Sequence, residues 1–357
     1  MQYRRWAGAG AAVAVVLVAT GCGSSSSSSV STTAAPTAAA VGTGRGPSPV
    51  VTVHVGYFPN ITHGLALVGI NEGILAKDLG PDKLDASQTF TAGPAENQAL
   101  LAGSLDIAFA GPSSALSAYS ASQGAIEIVA GAASGGAGLV VKSSITSAGQ
   151  LRGTTLASPQ LANTQDVSLK YWLEGQNLTG SVTVQPSTTG NGTIVTEFKA
   201  GSIAGAWVPE PYLAQMVAAG GHVLVDERGL WPGGQFPTTE VVVRTAWANQ
   251  HPATLQRFLT GLDDTLAAIE RDPTAAQRAA NAQLEALTTK PLPASVLSSA
   301  WSDLTFTLDP LKSAVGAQAT HGVDVGLLKD PGTIGGLFNL GTLNKVLAAK
   351  GQPPIAS

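Results

Sequence analysis

The sequence predicts an α/β fold of two lobes joined by a hinge of two crossing strands. Short β-branched or apolar runs alternate with helical segments of about ten residues, which is typical of a parallel sheet covered by helices. After a second series of this kind the chain returns to helices without a third sheet, so those helices are expected to cover the first sheet. Charged residues make up 12% and glycines number 42, which indicates a packed globule with many tight turns.

The first series begins with Val50–Val55, a predicted strand, and Gly64–Leu79, a predicted helix. Strand and helix then alternate in the same way through Gln88–Thr91, Pro94–Ala102, Ile107–Ala110, Ser113–Ser122, Ile126–Ala130 and Gly138–Lys142. The second series runs through Leu151–Ala157, Leu161–Glu174, Val182–Gln185, Ile194–Ala200, Ala204–Val208, Pro209–Ala219 and His222–Asp226.

The return to the first lobe is predicted at Thr239–Arg244, a β-branched strand, followed by a helix over His251–Arg271 whose apolar residues keep one face. Residues 49–142 with 243–357 would form one lobe, and residues 143–242 the other. Val140–Ser144 and Val241–Arg244 are predicted to cross between them. A ligand is expected in the cleft between two such lobes.

The N-terminal segment has the charge–apolar–small order of a secretory signal over residues 1–21, beginning with Arg4 and Arg5. Its apolar run is too short to span a bilayer, which needs about 20 residues. Ala19-Thr20-Gly21 before the single cysteine resembles a lipobox, which implies lipid attachment at Cys22. Alternatively, Cys22 is only a small residue near a signal that is cleaved elsewhere.

Residues 22–48 are rich in Ser, Thr, Ala, Pro and Gly and are predicted to be a flexible tether. Export by either the Sec or the twin-arginine route would place the protein outside the cytoplasm, held at the membrane by its lipid. The formal net charge is −4, and nothing in it favours nucleic acid, whose binders carry basic patches. No histidine or carboxylate pair has metal-ligand spacing, so neither a metal nor a cofactor is expected.

Three stretches carry a resemblance to a known family: Val55–Pro59 with Asn71–Ile74, Ala102–Ala108 leading into Gly111–Ser113, and Ala206–Tyr212. Their order and spacing resemble the nitrate/sulfonate/taurine group of ABC transporter substrate-binding proteins, a type II periplasmic-binding-protein family. The family also includes relatives that bind thiamine-precursor pyrimidines. The resemblance extends over about 290 residues of the chain.

The resemblance implies an extracytoplasmic lipoprotein that is not an enzyme. It would act as a monomer, bind a small anionic or zwitterionic solute and deliver it to an ABC permease and its ATPase. An aliphatic sulfonate, taurine or nitrate would fit, and a thiamine-precursor pyrimidine is an alternative. An enzyme on a related two-lobed fold is the rival class, although the sequence lacks the G-x-S-x-G, H-E-x-x-H and C-x-x-C patterns. A receptor-like lipoprotein is a third possibility.

Two predicted helix starts are candidate anion sites. Ser113 and Ser114 open a helix directly after a strand, where unpaired backbone N–H groups and the helix dipole favour an anion. Gln160, Asn163 and Thr164 open a helix of the second lobe, at a position where the family places ligand contacts. A serine at such a start is also a common helix cap without any ligand.

Further candidates follow the ends of strands. Gly135 and Gly136 would allow close backbone approach near the crossing point, or form a simple turn. Asn60 and His63 follow the first strand, from which family members reach the ligand, although a lone histidine is more often a capping or surface group.

Two residues near the end of a later strand complete the set. Trp207 would wall the cleft with an apolar plate or lie in the core. Glu210 would face the cleft or favour the helix start through the dipole. A carboxylate in the cleft would oppose a bare anion and favour a zwitterion or a polar heterocycle.

Overall fold

The computed structural model describes residues 49–330 and 332–356. The predicted signal, Cys22 and the tether lie outside the described residues. The strands are β1 (Thr52–Tyr57), β2 (Lys83–Thr89), β3 (Ile107–Ala110), β4 (Ile126–Gly135), β5 (Ala137–Lys142), β6 (Thr155–Ser158), β7 (Thr183–Pro186), β8 (Gly205–Pro209), β9 (Gly221–Asp226), β10 (Pro237–Arg244) and β11 (Leu304–Phe306).

Thirteen α-helices connect and cover these strands in the described part of the chain. They are α1 (Gly64–Asn71), α2 (Ile74–Asp78), α3 (Gly93–Ala102), α4 (Pro112–Ser122), α5 (Thr164–Gly175), α6 (Asn191–Ala200), α7 (Tyr212–Ala218), α8 (Thr245–Gln250), α9 (Pro252–Arg271), α10 (Pro273–Thr288), α11 (Ala294–Ser302), α12 (Lys312–Asp324) and α13 (Gly341–Ala349). Short 3-10 helices lie at Ile61–His63, Ala148–Leu151, Glu227–Leu230, Pro232–Gly234 and Ile334–Leu337.

The strands form two separate sheets, and the two sheets share one topology. Sheet 1 has the order β2-β1-β3-β10-β4-β11 and sheet 2 the order β7-β6-β8-β5-β9. In each sheet three neighbouring strands run parallel, and the next strand is antiparallel to them. We call sheet 1 with the helices packed on it lobe 1, and sheet 2 with α5, α6 and α7 lobe 2. This is the predicted two-lobed α/β fold.

The chain passes between the sheets at places that differ from the predicted crossing segments. Gly136 joins β4 of sheet 1 directly to β5 of sheet 2, and residues 227–236 lead from β9 back to β10. Val140–Ser144 therefore begins inside β5, and Val241–Arg244 lies inside β10. Apolar residues run almost without interruption from β4 into β5, so the hydrophobic pattern did not mark the passage.

The last helices cover sheet 1, as the sequence predicts. Leu255, Phe258, Leu259 and Leu262 of α9 are fully or almost fully buried, together with the apolar side of β1. The predicted helix over Gly64–Leu79 is divided into α1 and α2, because Gly73 adopts a left-handed conformation with φ of 70°.

Direct contacts join the two lobes. The Arg228 guanidinium forms an ion pair with Asp303 at 3.2 Å, linking the second passage between the sheets to the end of α11. On another side, the ring of Tyr171 in α5 stacks on His321 in α12, with the ring centres 3.7 Å apart. The lobes are thus closed on each other around the space between the sheets.

Candidate functional site

A small cleft lies where the carboxyl ends of the parallel strands of both sheets meet. Its cavity has a volume of about 30 Å³. Ligands in open α/β sheets bind outside the carboxyl ends of strands, where strands feed into helices. The residues that line the cleft are Phe58, Asn60, Thr62, His63, Thr91, Ala92, Gly93, Gly111, Ser114 and Thr238 of lobe 1, and Pro159, Asn163, Thr164, Gln165, Asn191 and Pro209 of lobe 2.

Four α-helices begin at this cleft. The residues before the first turns of α3, α4 and α6 are Ala92, Gly111 and Gly190, and within the described chain none of them caps its helix with a side chain. The first backbone N–H groups of a helix have no partner inside the helix and carry partial positive charge. Among the described residues that line the cleft, none is Asp, Glu, Lys or Arg. The cleft thus offers an anion neutral donors from several directions.

The start of α4 is the most completely buried of these sites. Ser113 is fully buried, and its backbone N–H points across the lobe boundary to Thr164 Oγ1 at 3.4 Å. Its own Oγ is buried and has no hydrogen-bond partner in residues 49–330 and 332–356. Ser114 lines the cleft, and its carbonyl oxygen accepts a hydrogen bond from Asn97 Nδ2 at 2.7 Å. Of the predicted pair, Ser114 therefore lines the cleft, and Ser113 is buried directly beside it.

Asn60 and His63 lie on the same wall, in and before the short helix after β1. Asn60 Oδ1 accepts hydrogen bonds from the backbone N–H and the hydroxyl of Thr62, both at 3.1 Å. His63 is buried against Phe58, whose ring lies 4.5 Å away in a stacked arrangement and whose backbone N–H donates to His63 Nδ1 at 3.3 Å.

Burial lowers the pKa of His63 to about 3, so the imidazole is neutral at physiological pH. Because Nδ1 accepts the hydrogen bond from Phe58, the ring proton of the neutral form is on Nε2. His63 therefore adds a neutral N–H donor to the wall of the cleft.

Lobe 2 presents the start of α5. Asn163 Oδ1 accepts from the backbone N–H of Asp166 at 2.9 Å and so caps this helix. Thr164 lines the cleft opposite Gly111 and Ser113. Gln160, the third residue predicted here, lies on the preceding turn and is not among the lining residues.

Asp166 holds that preceding turn in place. Its carboxylate accepts from Ser158 Oγ at 2.7 Å and from the Ala162 N–H at 2.9 Å, and it pairs with the Lys170 ammonium at 2.9 Å. Ala162 has a φ of 60°, in the left-handed region that non-glycine residues rarely adopt. The start of α5 and the turn before it are therefore hydrogen-bonded by side chains of the same segment.

Trp207 is a core residue of lobe 2, which corrects the prediction that it walls the cleft. It is fully buried in an apolar cluster beside Trp172, and its indole N–H donates to Glu227 Oε2 at 2.7 Å. Glu227 also accepts from Ser168 Oγ at 2.8 Å. Burial raises the pKa of Glu227 to about 7. This contact fixes the passage between the sheets to β8 and α5.

Gly135, Gly136 and Glu210 lie at the first passage between the sheets and do not line the cleft. Both glycines have positive φ, and a Cβ at Gly136 would come within 2.4 Å of Leu304 Cδ2. Glu210 is fully buried, its Oε2 accepts from the Ala214 N–H at 3.1 Å, and burial raises its pKa to about 8. These residues therefore shape the junction of the lobes.

The starts of α3 and α6 also lie at the cleft, although the sequence did not predict them as parts of the site. A Cβ on Gly93 would lie 2.1 Å from Ser114 Oγ, so only glycine lets α3 approach α4 at the cleft. The signal was present, because Gly93-Pro94 repeats the Gly111-Pro112 pattern at the same kind of strand-to-helix turn. Asn191 at the start of α6 also lines the cleft, and its Oδ1 is buried without a partner in the described residues.

The model of the NMT1-like family matches residues 46–284, about two thirds of the chain. The chain belongs to the NMT1-like family. No curated protein sequence matches this NMT1-like chain.

Solved structures with the same fold are similar to this NMT1-like protein at low sequence identity. The nitrate-binding protein NrtA of Synechocystis PCC 6803 has a TM-score of 0.72 at 15% identity, covering 84% of this chain and 89% of that one. The ligand-binding component of an ABC-type import system from Staphylococcus aureus, solved with zinc, has a TM-score of 0.69 at 16% identity, covering 83% and 99%. The aliphatic sulphonate binding protein SsuA of Escherichia coli has a TM-score of 0.63 at 20% identity, covering 80% and 96%.

Two further properties concern only the described part of the NMT1-like chain. No helix in residues 49–330 and 332–356 has the length and apolar character needed to cross a membrane. The same residues contain no group of three His, Cys, Asp or Glu side chains arranged to hold a metal ion.

Proposed function

We propose that this protein is the extracytoplasmic solute-binding component of an ABC importer, and that it binds a small anionic or zwitterionic solute in the cleft between its lobes. An aliphatic sulfonate, taurine or nitrate fits this description. The named functions of the solved structures with this fold, aliphatic sulphonate binding and nitrate binding, support the same class of solute.

The observation that carries the proposal is the convergence of four helix starts on a cleft lined by no charged side chain among its described residues. Backbone N–H groups at helix starts stabilise an anion without a buried counter-ion. A lysine or arginine would have to lose its water each time the lobes close, at a high cost for a full charge, whereas backbone N–H groups carry only partial charge and are held in direction by their helices. Such a site suits a solute that must be released again.

The residues assigned to the solute are Ser114, Asn60 and His63 on lobe 1, and Asn163 and Thr164 on lobe 2. Ser113 lies beside them, with its backbone N–H on Thr164 Oγ1. Asn191 and the backbone around Gly93 and Gly111 extend this set. An ammonium group, as in taurine, would donate a hydrogen bond to the buried Asn191 Oδ1. We place Gln160, Gly135, Gly136 and Glu210 outside direct contact, because they do not line the cleft.

The chemistry of the cleft favours binding over catalysis. His63 is the titratable side chain of the described lining, and with a pKa of about 3 it is a poor general base at neutral pH. Glu210 and Glu227 are buried and do not line the cavity.

In the cell, lipid attachment at Cys22 would hold the protein on the outer side of the membrane, and residues 22–48 would serve as its tether. An ABC permease and its ATPase would take the solute from the closed lobes. Replacing the lipid-bearing thiol by Cys22→Ser is expected to release the mature protein from the membrane fraction into the soluble fraction. A wild-type protein already fully soluble would contradict the anchor.

The solute class is tested by thermal shift and titration calorimetry with nitrate, methanesulfonate, ethanesulfonate and taurine, and with choline as a cationic control. A true solute at a hundred times its Kd raises the free energy of unfolding by about 2.7 kcal/mol. We expect stabilisation by at least one of the anions or zwitterions and none by choline. Stabilisation by choline alone, or by no compound of the set, would refute an anion-binding cleft.

A further inference from the structure

A second concave surface, which we call the lateral groove, lies between the lobes beside the cleft. It has a volume of about 790 Å³. Its walls are α6 and α7 of lobe 2 and the α10–α11 connection of lobe 1, with apolar floor residues that include Tyr212, Leu292 and Val296. Pockets for organic ligands typically have about 300–1,000 Å³ and mostly apolar walls. The lateral groove is therefore large enough for the carbon body of a solute.

The lateral groove shares its walls with the cleft on both sides of the lobe boundary. In lobe 1, Pro59 lines the groove between Phe58 and Asn60, which line the cleft. In lobe 2, Gly192 lines the groove directly after Asn191 of the cleft. The cleft and the groove are therefore adjacent along the lobe boundary, on both lobes.

The charged side chains that line the lateral groove are all positive. Lys199 of α6 and Lys290 of the α10–α11 connection both line it and are exposed, and its described lining contains no Asp or Glu. Neither lysine takes part in an ion pair within residues 49–330 and 332–356. In a chain with a formal net charge of −4, two such lysines from opposite lobes form a local positive site above an apolar floor.

We propose that the lateral groove binds the far end of an organic solute that carries two acidic groups. The first acidic group occupies the cleft, the apolar body lies along the groove floor, and the second acidic group lies between Lys199 and Lys290. This inference rests on the proposed function, because it needs an anionic head in the cleft. It selects an α,ω-diacid over a bare inorganic anion or a simple alkyl monoacid.

The test compares alkanesulfonates with α,ω-alkanedisulfonates of the same length, from ethane through butane and hexane to octane, by titration calorimetry with nitrate as the reference anion. At the length that spans cleft and groove, we expect the disulfonate to bind about tenfold more tightly than the monosulfonate, from two exposed charge pairs. The double variant Lys199→Gln/Lys290→Gln should reduce this advantage to less than about twofold and leave nitrate affinity unchanged.

The matched control is Lys83→Gln/Lys345→Gln, which removes the same charge from two exposed lysines outside the groove. This control should keep the disulfonate advantage. The inference would be overturned by equal affinities of mono- and disulfonates at every length. It would also be overturned if the disulfonate advantage survived in the groove variant, or if it were lost in the control variant as well. None of these results would contradict the anion cleft. Failure of nitrate and of every sulfonate to bind would overturn the proposed function, and the inference with it.

Discussion

The two lobes share a strand topology, yet their walls of the cleft are built differently. In lobe 1 the helices α3 and α4 begin at Ala92 and Gly111, which offer no side-chain cap among the described residues. In lobe 2 the helix α5 is capped by its own Asn163, and Asp166 ties down the turn before it. Both lobe 1 helices at the cleft therefore start without a side-chain cap, whereas in lobe 2 α5 is capped by its own side chain and α6 is not.

From this difference we expect the two lobes to have different roles in solute capture. The solute would bind first to the uncapped donors of lobe 1, and lobe 2 would close over it as a preformed cover. In the closed protein the two walls meet where the Ser113 N–H donates to Thr164 Oγ1 at 3.4 Å. Substitutions at that contact should change closure, substitutions on lobe 1 should change affinity, and substitutions inside lobe 2 should change stability alone.

The largest effect is expected at the contact between the walls. A Cβ on Gly111 would lie 2.7 Å from Thr164 Oγ1, although the backbone φ of −69° accepts alanine without strain. Gly111→Ala should therefore oppose closure by about 1–3 kcal/mol, which corresponds to a loss of solute affinity of about ten- to a hundredfold. Titration calorimetry with the best anion of the screen measures the loss, and the melting temperature without solute should not change.

Two further variants make this prediction specific. Gly175→Ala, at the end of α5 with no atom within 4 Å of the added Cβ, should keep wild-type affinity. Adding Thr164→Ala to Gly111→Ala removes the colliding oxygen and should recover closure, seen as a return of the compact radius in solution scattering. A Gly111→Ala protein with wild-type affinity would show that the lobes need not meet here.

The next effect belongs to the interior of lobe 2. Trp207→Phe removes the indole N–H that donates to the buried Glu227 and leaves a carboxyl oxygen without its partner. We expect the free energy of unfolding to fall by about 1–3 kcal/mol, with unchanged solute affinity in the folded protein. Chemical denaturation measures the change in stability, and titration calorimetry measures the solute affinity. A large loss of affinity at wild-type stability would return Trp207 to the binding site.

A smaller effect is expected at the cap of α5. Asn163→Ala should lower the free energy of unfolding by about 1 kcal/mol, because the Asp166 N–H loses its acceptor. Asn163→Asp keeps an acceptor at the same place and should retain most of the stability. Because Asn163 also lines the cleft, the added negative charge of the aspartate variant should weaken anion binding. An aspartate variant that loses as much stability as Asn163→Ala would show that the side-chain acceptor does not stabilise the start of α5.

The sequence predicted the alternation of strands and helices because each strand-to-helix turn carries a local signal, such as Gly111-Pro112. The sequence could not predict the order of strands in the sheets, because β10 pairs with β3 and β4 although the strands β6–β9 of lobe 2 lie between them along the chain. The passage at Gly136 was missed because β4 and β5 are buried along nearly their whole length, so no change in polarity separates them.

The site could be predicted in part for similar reasons. Ser114, Thr164 and Asn60 reach the cleft because a segment that follows a parallel strand must lie at the carboxyl edge of its sheet. Trp207 was misplaced because every residue of β8 is buried. A strand that is apolar on both sides has no alternation to show which side chain faces the core and which faces a ligand.

The smallest effect on binding is expected at His63. Its pKa shift fixes the direction in which the stability of the protein changes with pH. Its pKa falls from an ordinary 6.5 to about 3 in the folded protein, so it contributes stability that is present above pH 6.5 and lost as the pH falls toward 3. Glu227, with a pKa raised to about 7, acts in the opposite sense, because its contribution is present below its usual pKa and lost as the pH rises through about 7.

Because His63 stays neutral from pH 5.5 to 8, anion affinity should be independent of pH over that range, as a wall of neutral donors requires. Calorimetry across the range measures this, and His63→Gln, which keeps a neutral amide donor, should give the same flat profile. The difference in melting temperature between wild type and His63→Gln should shrink below pH 6.5, because only the wild type has the buried imidazole that becomes costly to keep neutral. His222→Gln on β9, outside the cleft, serves as the matched control. An affinity that rises severalfold as the pH falls through 6.5, and does so only with His63 present, would mean that a histidine cation binds the solute and that lobe 1 does not rely on uncharged donors.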